Sequence, residues 1–288
     1  MLLQVITEGL LMGGIYAIAA LGLSLIFGVM KITNFAHGAL MTVGMYVVYV
    51  AYVAFGLSPY MALPLSMICL FLIGYLIQRV FIQKIQNAPN HNQLLLTLGI
   101  SIIIENTLLA IFKPDAKSEV FEAYSKSVTV LGIKVNVPKL ISLFVVLAVT
   151  LLIYLLLYKT EIGRSIRATS MDREGALLVG IVVKKTNALA FGIGAMCTGI
   201  AGALLTPTLN IDPTIGNTFQ LTCFVIAVLG GMGNIWGALV SGFLIGLLES
   251  VTSFYLSGSL SSMAIYAVFI LVLIFKPTGL FERRARRD

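Results

Sequence analysis

The sequence predicts an all-α protein that crosses a membrane many times. Of its 288 residues, 59% are hydrophobic and only 11% are charged, whereas an ordinary soluble domain carries roughly 25% charged residues. Several apolar stretches run for about 19 residues, which is enough helix to cross a hydrocarbon core roughly 30 Å thick. A transmembrane β-barrel would instead show short segments of alternating hydrophobicity. Composition and stretch length therefore indicate a bundle of membrane-spanning helices.

We expect about eight or nine transmembrane helices in a single domain that occupies residues 1–288. The apolar stretches that predict them are residues 9–29, 38–56, 60–78, 94–112, 139–158, 188–206, 218–231, 234–256 and 260–275. The seventh stretch is too short to cross comfortably, and it runs into the glycine-rich sequence LGGMGN. A short or broken helix is therefore expected near residues 218–233.

Two polar connections between these stretches differ in character. Residues 113–138 contain the alternating sequence SVTVLGIKVNV, which predicts a small β-hairpin outside the bilayer. Residues 159–187 form the longest strongly basic connection. With nine crossings, 14 of the 19 Lys and Arg residues fall on the same side as the C-terminus. The positive-inside tendency then places 159–187 and the C-terminus in the cytoplasm, and 113–138 and the N-terminus outside it.

Several functional classes are excluded or disfavoured by what the sequence lacks. It has no GxxxxGK[ST] phosphate-binding motif, so it cannot hydrolyse ATP by that route. The two histidines, His37 and His91, lie in different connections, and Cys69, Cys197 and Cys223 lie in apolar runs without metal-ligand spacing. Membrane topology accounts for the basic residues, so they do not indicate nucleic-acid binding. We therefore predict no catalytic residue, no metal site and no cofactor bound to this chain.

A polar break, MKITNFAHGAL at residues 30–40, separates the first two apolar stretches. Asn34 and His37 lie three residues apart in it, and Gly28 and Gly38 bracket them. One interpretation is an ordinary turn at the membrane surface. The other is an interrupted helix beside a transport path, because irregular backbone at membrane depth occurs where it is buried in protein or lines a cavity.

Glu105 and Asn106 lie in the middle of the apolar stretch GISIIIENTLLAIF. Ionisable residues at such a depth are costly and often functional. Glu105 either belongs to a proton or substrate relay or forms a hydrogen bond with a neighbouring helix. We therefore treat Asn34, His37, Glu105 and Asn106 as candidate residues of a translocation path.

The basic connection 159–187 predicts a short amphipathic helix over the sequence DREGALLVGI. We expect a break around Ser170, with Ser170 or Asp172 as the N-cap of this helix and Gly180 at its end. The helix either lies on the membrane surface or docks onto a soluble partner. The residues expected to couple to such a partner are Gly163, Arg164, Arg167, Asp172, Arg173, Glu174 and Gly180.

Three segments carry a combination of motifs that is specific to one family. They are GGIYAIAALGLSLIFGVMKITNFAHGALMTVGMY, TEIGRSIRATSMDREGALLVGI and AVLGGMGNIWGALVSGFLIGLLE. Together they resemble the LivH-type permease subunits of bacterial branched-chain amino acid ABC transporters, over most of the chain. The resemblance implies a permease with the fold of a type II ABC importer in the bacterial inner membrane, for leucine, isoleucine and valine.

The same resemblance implies a set of partners. These are a second, homologous permease subunit, two cytoplasmic ATPase subunits that hold ATP and magnesium, and an extracytoplasmic substrate-binding protein. Residues 163–181 would insert into a cleft of an ATPase subunit. Permeases for urea or short amides share these sequence features, so that substrate class is an alternative. A stand-alone channel or secondary carrier is an alternative of a different class.

Overall fold

The computed structural model describes residues 2–86, 88–117, 127–130, 133–256 and 258–281. The basic tail ERRARRD and the middle of the 113–138 connection lie outside these residues. The elements in chain order are α1 (Leu2–Met30), α2 (His37–Phe55), α3 (Pro59–Ile77), a π-helical turn (Gln78–Ile82), α4 (Gln83–Ile85), α5 (Asn90–Phe112), β1 (Ser127–Val130), β2 (Ile133–Asn136), α6 (Val137–Lys159), α7 (Glu161–Met171), α8 (Arg173–Leu178), α9 (Val183–Leu205), α10 (Gly216–Gly230), α11 (Ile235–Tyr255) and α12 (Gly258–Phe275).

Among the described residues, seven helical segments are long and apolar enough to cross a membrane. They are α1, α2, α3 with its continuation through α4, α5, α6, α9 and α11. Two further apolar helices, α10 and α12, are shorter. The 15 residues of α10 rise only about 22 Å, and a turn with positive φ at Gly231 and Gly233 follows them. The predicted polytopic all-α fold is confirmed, including the short helix near 218–233.

The predicted β-hairpin is present directly before α6. Strands β1 and β2 are antiparallel, with Ser127 opposite Asn136 and Val130 opposite Ile133. The side chain of Asn136 then caps α6 by accepting a hydrogen bond from the backbone N–H of Lys139 at 3.3 Å. The hairpin and α7 therefore lie at opposite ends of α6.

Helices α1 and α9 form the centre of the bundle. In their most apolar windows, 83% of the residues of α1 and 89% of those of α9 are buried. The two helices contact each other, and α1 also packs along α11. Gly9 faces Gly246 and Gly13 faces Gly242 across the α1–α11 contact. Glycine faces of this kind let helix backbones approach closely in lipid, where packing replaces the hydrophobic effect as the source of association.

We predict that Gly242→Val destabilises the chain. A Cβ added at Gly242 would lie 2.5 Å from the Cα of Ala17, so a valine side chain forces α1 and α11 apart. Overpacking of this kind costs about 1–3 kcal/mol, which we expect to see as a lower Tm of the detergent-purified chain. Gly99→Val is the matched control, because a Cβ at Gly99 meets nothing within 4 Å. A Tm for Gly242→Val equal to that of the control would contradict the packing described here.

Candidate functional site

The polar break between α1 and α2 is a largely buried non-helical segment deep in the bundle, residues 31–36, which we call the interrupted segment. α1 ends at Met30, and Lys31 takes a left-handed backbone conformation with φ of 57°. Nε2 of His37 then lies 2.8 Å from the carbonyl oxygen of Ala19. Since Ala19 precedes Met30 by 11 residues, this contact lies about 17 Å back along α1. The chain therefore returns along α1, and α2 begins beside the middle of that helix rather than at its end.

Gln220 of α10 holds the start of α2. Its Oε1 accepts a hydrogen bond from the backbone N–H of Gly38 at 2.7 Å, and its Nε2 donates to the carbonyl oxygen of Asn34 at 3.3 Å. Oδ1 of Asn34 accepts a bond from the backbone N–H of Ala36 at 3.0 Å. Asn34 and His37 are both fully buried. Side chains thus satisfy backbone groups that the interruption leaves without helical partners.

Two glycines bring Gln220 within reach of α2. A Cβ added at Gly38 would collide with the carbonyl oxygen of Gly216, and one added at Gly216 would collide with that of Gly38. Only residues without a side chain permit so close an approach of α2 and α10. The sequence reasoning missed Gln220. The available signal was an amide side chain four residues after Gly216, one helical turn into the expected short helix.

A second polar contact joins α5 to the exposed face of α10. Nδ2 of Asn217 donates to Oε2 of Glu105 at 3.1 Å. Asn106 is exposed and donates to the carbonyl oxygen of Ile102, in its own helix, at 2.8 Å. Asn217 and its neighbour Thr218 are exposed as well. Polar side chains therefore form part of the protein surface beside α5, one of the helices long and apolar enough to cross a membrane.

Thr97 of α5 forms hydrogen bonds with the interrupted segment as well. Its Oγ1 accepts a hydrogen bond from the backbone N–H of Phe35 at 3.2 Å and lies 3.3 Å from the carbonyl oxygen of Thr33. The segment therefore lies between α5 and α10. The predicted path residues occupy different places: Asn34 and His37 lie in the buried contact, Glu105 lies beside the exposed face of α10, and Asn106 is exposed on α5.

The basic connection folds into two short helices with defined ends. Oγ1 of Thr160 caps α7 by accepting from the backbone N–H of Gly163 at 3.1 Å. Oδ1 of Asp172 caps α8 by accepting from the backbone N–H of Glu174 at 3.0 Å. Gly180 follows the last turn with φ of 84°, a conformation that favours glycine. The predicted cap at Asp172 and the predicted stop at Gly180 are both present.

The break between the two helices lies at Asp172, two residues after the Ser170 around which it was expected, and Asp172 rather than Ser170 is the cap. Ser170 lies in the last turn of α7, where its hydroxyl donates to the carbonyl oxygen of Arg167 at 2.8 Å. Serine and aspartate are about equally good N-caps. The backbone decides between them here, because Asp172 is the residue in the extended conformation that an N-cap requires, with φ of −148° and ψ of 110°.

The surface of α8 combines apolar and charged side chains. Leu178 is 88% exposed and Val179 is 76% exposed. The predicted coupling residues Arg164, Arg173 and Glu174 are also exposed. Exposed apolar side chains beside charged ones are typical of a surface that another protein covers.

Arg167 points away from that surface. Its guanidinium carbon lies 4.5 Å from the centroid of the Tyr158 ring, in a cation–π contact. It lines a cavity of about 360 Å³ together with Lys31, Gly233 and Trp236. This cavity lies between α7, the end of α1 and the turn from α10 to α11. The structure thus separates Arg167 from the exposed coupling residues Arg164, Arg173 and Glu174, and Gly163 is buried against α6 as well.

These features together define the class of protein as a membrane transport protein. Such proteins typically combine apolar helices of membrane-spanning length with a buried non-helical segment supported by polar side chains. The capped helix pair in the most basic connection is a further typical feature. Within the described ranges, no group of three or more His, Cys, Asp or Glu residues could hold a metal ion.

The chain belongs to the family of permease components of branched-chain amino acid transport systems, whose profile matches residues 5–273. It is 30% identical to the high-affinity branched-chain amino acid transport system permease protein LivH of Escherichia coli K12, over 98% of this chain and 96% of LivH. It is 28% identical to the corresponding protein BraD of Pseudomonas aeruginosa, over 98% of this chain and 96% of BraD. A probable LivH protein of Methanocaldococcus jannaschii is 28% identical over 99% of this chain and 95% of its own length. No solved structure gives a significant match.

We predict that Gln220→Leu destabilises the fold although leucine is nearly the same size. The change leaves the N–H of Gly38 and the carbonyl of Asn34 buried without their partner, at about 1–3 kcal/mol for each group. Thermal unfolding of the purified chain should therefore show a lower Tm. Gln78→Leu is the matched control, because Gln78 is fully buried and its amide has no partner among the described residues. Its replacement should be neutral or stabilising, and an equal loss in both variants would show that Gln220 has no special role.

Proposed function

We propose that this chain is one of two permease subunits of an ATP-driven importer for leucine, isoleucine and valine. The observation that carries the proposal is the similarity to LivH and BraD, which extends over 98% of the chain. The partners would be a second, homologous permease subunit, two cytoplasmic ATPase subunits and an extracytoplasmic substrate-binding protein. ATP and magnesium would be bound by the ATPase subunits, and this chain would be a transport subunit rather than an enzyme.

The translocation path runs along the polar face of α5 and α10 in this proposal. Glu105, Asn106 and Asn217 cannot face hydrocarbon without cost, so this face meets water or the second permease subunit. The interrupted segment with Asn34 and His37 lies directly behind it. A change in the Gln220 contacts would therefore alter the wall of the path, and neither Asn34 nor His37 would need to touch the substrate.

In the proposed orientation, the chain lies in the inner membrane of a bacterial cell. Its C-terminus, α7 and α8 are in the cytoplasm, and its N-terminus is outside. The distribution of Lys and Arg supports it, with 14 of 19 on the cytoplasmic side. The β1–β2 hairpin and α7 lie at opposite ends of α6, so the hairpin belongs to the extracytoplasmic connection.

The helix pair α7–α8 docks into a cleft of an ATPase subunit. Leu178 and Val179 supply the apolar contact, and Arg164, Arg173 and Glu174 supply a charged rim. Arg167 acts on the membrane side instead, where it links α7 to the cavity beside the end of α1. Movement of the docked helix pair would thereby reach α1 and the α10–α11 turn as a rigid displacement.

We predict that Gly180→Val weakens binding or coupling of the ATPase subunit while the membrane domain still folds. The left-handed conformation of Gly180 costs a β-branched residue about 1–2 kcal/mol, so the end of α8 rearranges although nothing crowds the site. Purified complexes should contain less ATPase subunit, or hydrolyse ATP without stimulation by the loaded binding protein. Gly180→Asn is the matched control, since asparagine tolerates this conformation. Normal assembly and uptake with valine would mean that the segment is a plain connection.

The transport function is tested by reconstitution in proteoliposomes. We expect leucine uptake only when the second permease, the ATPase subunits, the binding protein and ATP are all present. Excess unlabelled leucine should compete, and excess urea should not. Full uptake by this chain alone would identify a channel or secondary carrier, and competition by urea alone would identify the other substrate class.

A further inference from the structure

A second cavity lies between α1, α10, α11 and α12, in the extracytoplasmic half of the proposed orientation. Its volume is about 400 Å³, within the range of small-molecule sites. One part of its wall is apolar, with Met12, Phe219 and Ile265, and another part carries the hydroxyl groups of Thr218 and Ser262. Such a wall suits a small molecule with an aliphatic end and a polar end.

Glu249 of α11 contributes a carboxyl group to this cavity. Its Oε2 is shielded from solvent and has no hydrogen-bond partner among the described residues. The hydroxyl group of Tyr16 faces the same carboxyl. The nearby cation Lys139 is already paired with Glu8, with its Nζ 2.6 Å from Oε2 of Glu8. An acidic group at membrane depth without a paired cation raises the free energy of the folded chain. Such a group is therefore a candidate for ligand binding.

The cavity also borders the polar face described above. Thr218 lines the cavity and is exposed on α10 next to Asn217, the partner of Glu105. A molecule that moves along this face therefore meets the cavity without crossing another helix. The cavity is thus a side chamber of the proposed translocation path.

We propose that this chamber binds the transported amino acid within the membrane domain. The α-ammonium group would donate to Glu249, the aliphatic side chain would pack against Met12, Phe219 and Ile265, and the hydroxyl groups would face the α-carboxylate. This inference rests on the proposed function and extends it, because it assigns the permease itself a contact that recognises the ammonium group. No covalent step is involved.

The test uses the complete transporter without its binding protein, so that only the membrane domain can bind ligand. Leu221→Cys, at an exposed position of the cavity lining that makes no proposed ligand contact, is introduced into a chain in which Cys69, Cys197 and Cys223 are replaced by alanine, and alkylation by N-methylmaleimide is followed with time. Leucine should slow the alkylation in a saturable way. Isoamylamine, which keeps the ammonium group and the branched chain, should also slow it. The keto acid 4-methyl-2-oxopentanoate, which keeps the branched chain and the carboxylate but lacks the ammonium group, should not.

Glu249→Gln should raise the leucine concentration that gives half protection by about tenfold or more, the usual consequence of losing a charged hydrogen bond. Asp115→Asn is the matched control, because it removes an exposed carboxylate from the connection after α5, outside the cavity lining. Protection should persist in that variant. The ligand series is run with native Glu249, so its outcome does not depend on the folding of any Glu249 variant.

Equal protection by the keto acid, absence of protection by leucine, or unchanged protection in Glu249→Gln would overturn the proposal. The failure of the proposed function gives a different result, namely no leucine uptake by the full transporter even with the binding protein and ATP. If uptake is normal and protection is absent, only the intramembrane site is disproved.

Discussion

One constraint governs the structure: every backbone polar group at membrane depth must find its partner inside the protein. A continuous helix meets this requirement by itself, and the chain departs from it between α1 and α2. There Gln220 and Thr97 supply the hydrogen bonds that the missing helical turns would have supplied. The non-helical segment can therefore exist only because α10 and α5 pack against it.

Glycine contacts set those positions. The approach of Gly38 to Gly216 brings α10 close enough for a side chain as short as glutamine to reach two backbone groups of the segment. The contacts of Gly9 and Gly13 with α11 fix α1 in the same way, so that Ala19 presents its carbonyl group to His37. Small residues thus do more than pack helices, because they define the distances over which polar side chains form hydrogen bonds.

Local signals were sufficient for part of this structure and insufficient for the rest. The alternating strand pattern, the cap at Asp172 and the stop at Gly180 are each encoded within a few neighbouring residues, and each is present. Gln220 depends on a contact between residues 182 positions apart, which hydrophobic periodicity does not report. The same holds for Arg167, since its direction depends on where the ring of Tyr158 lies. The sequence left Ser170 and Asp172 as alternative caps, because both residues are good N-caps and only the backbone conformation distinguishes them.

The short helix α10 runs from the contact beside the middle of α1 to a contact near the end of α1. Near its start, Gln220 holds the interrupted segment, and beyond its last residue Gly233 contacts Gly28 and donates its N–H to Oγ of Ser24 at 2.9 Å. Both contacts involve α1 or the segment that follows it directly, so α10 can shift only if it moves with α1 or breaks one of them. Helix α7 packs against α6, α9 and α1, so a displacement of α7 reaches α10 by way of α1. The wall of the proposed path is therefore joined to the proposed docking segment by packed backbone rather than by flexible loops.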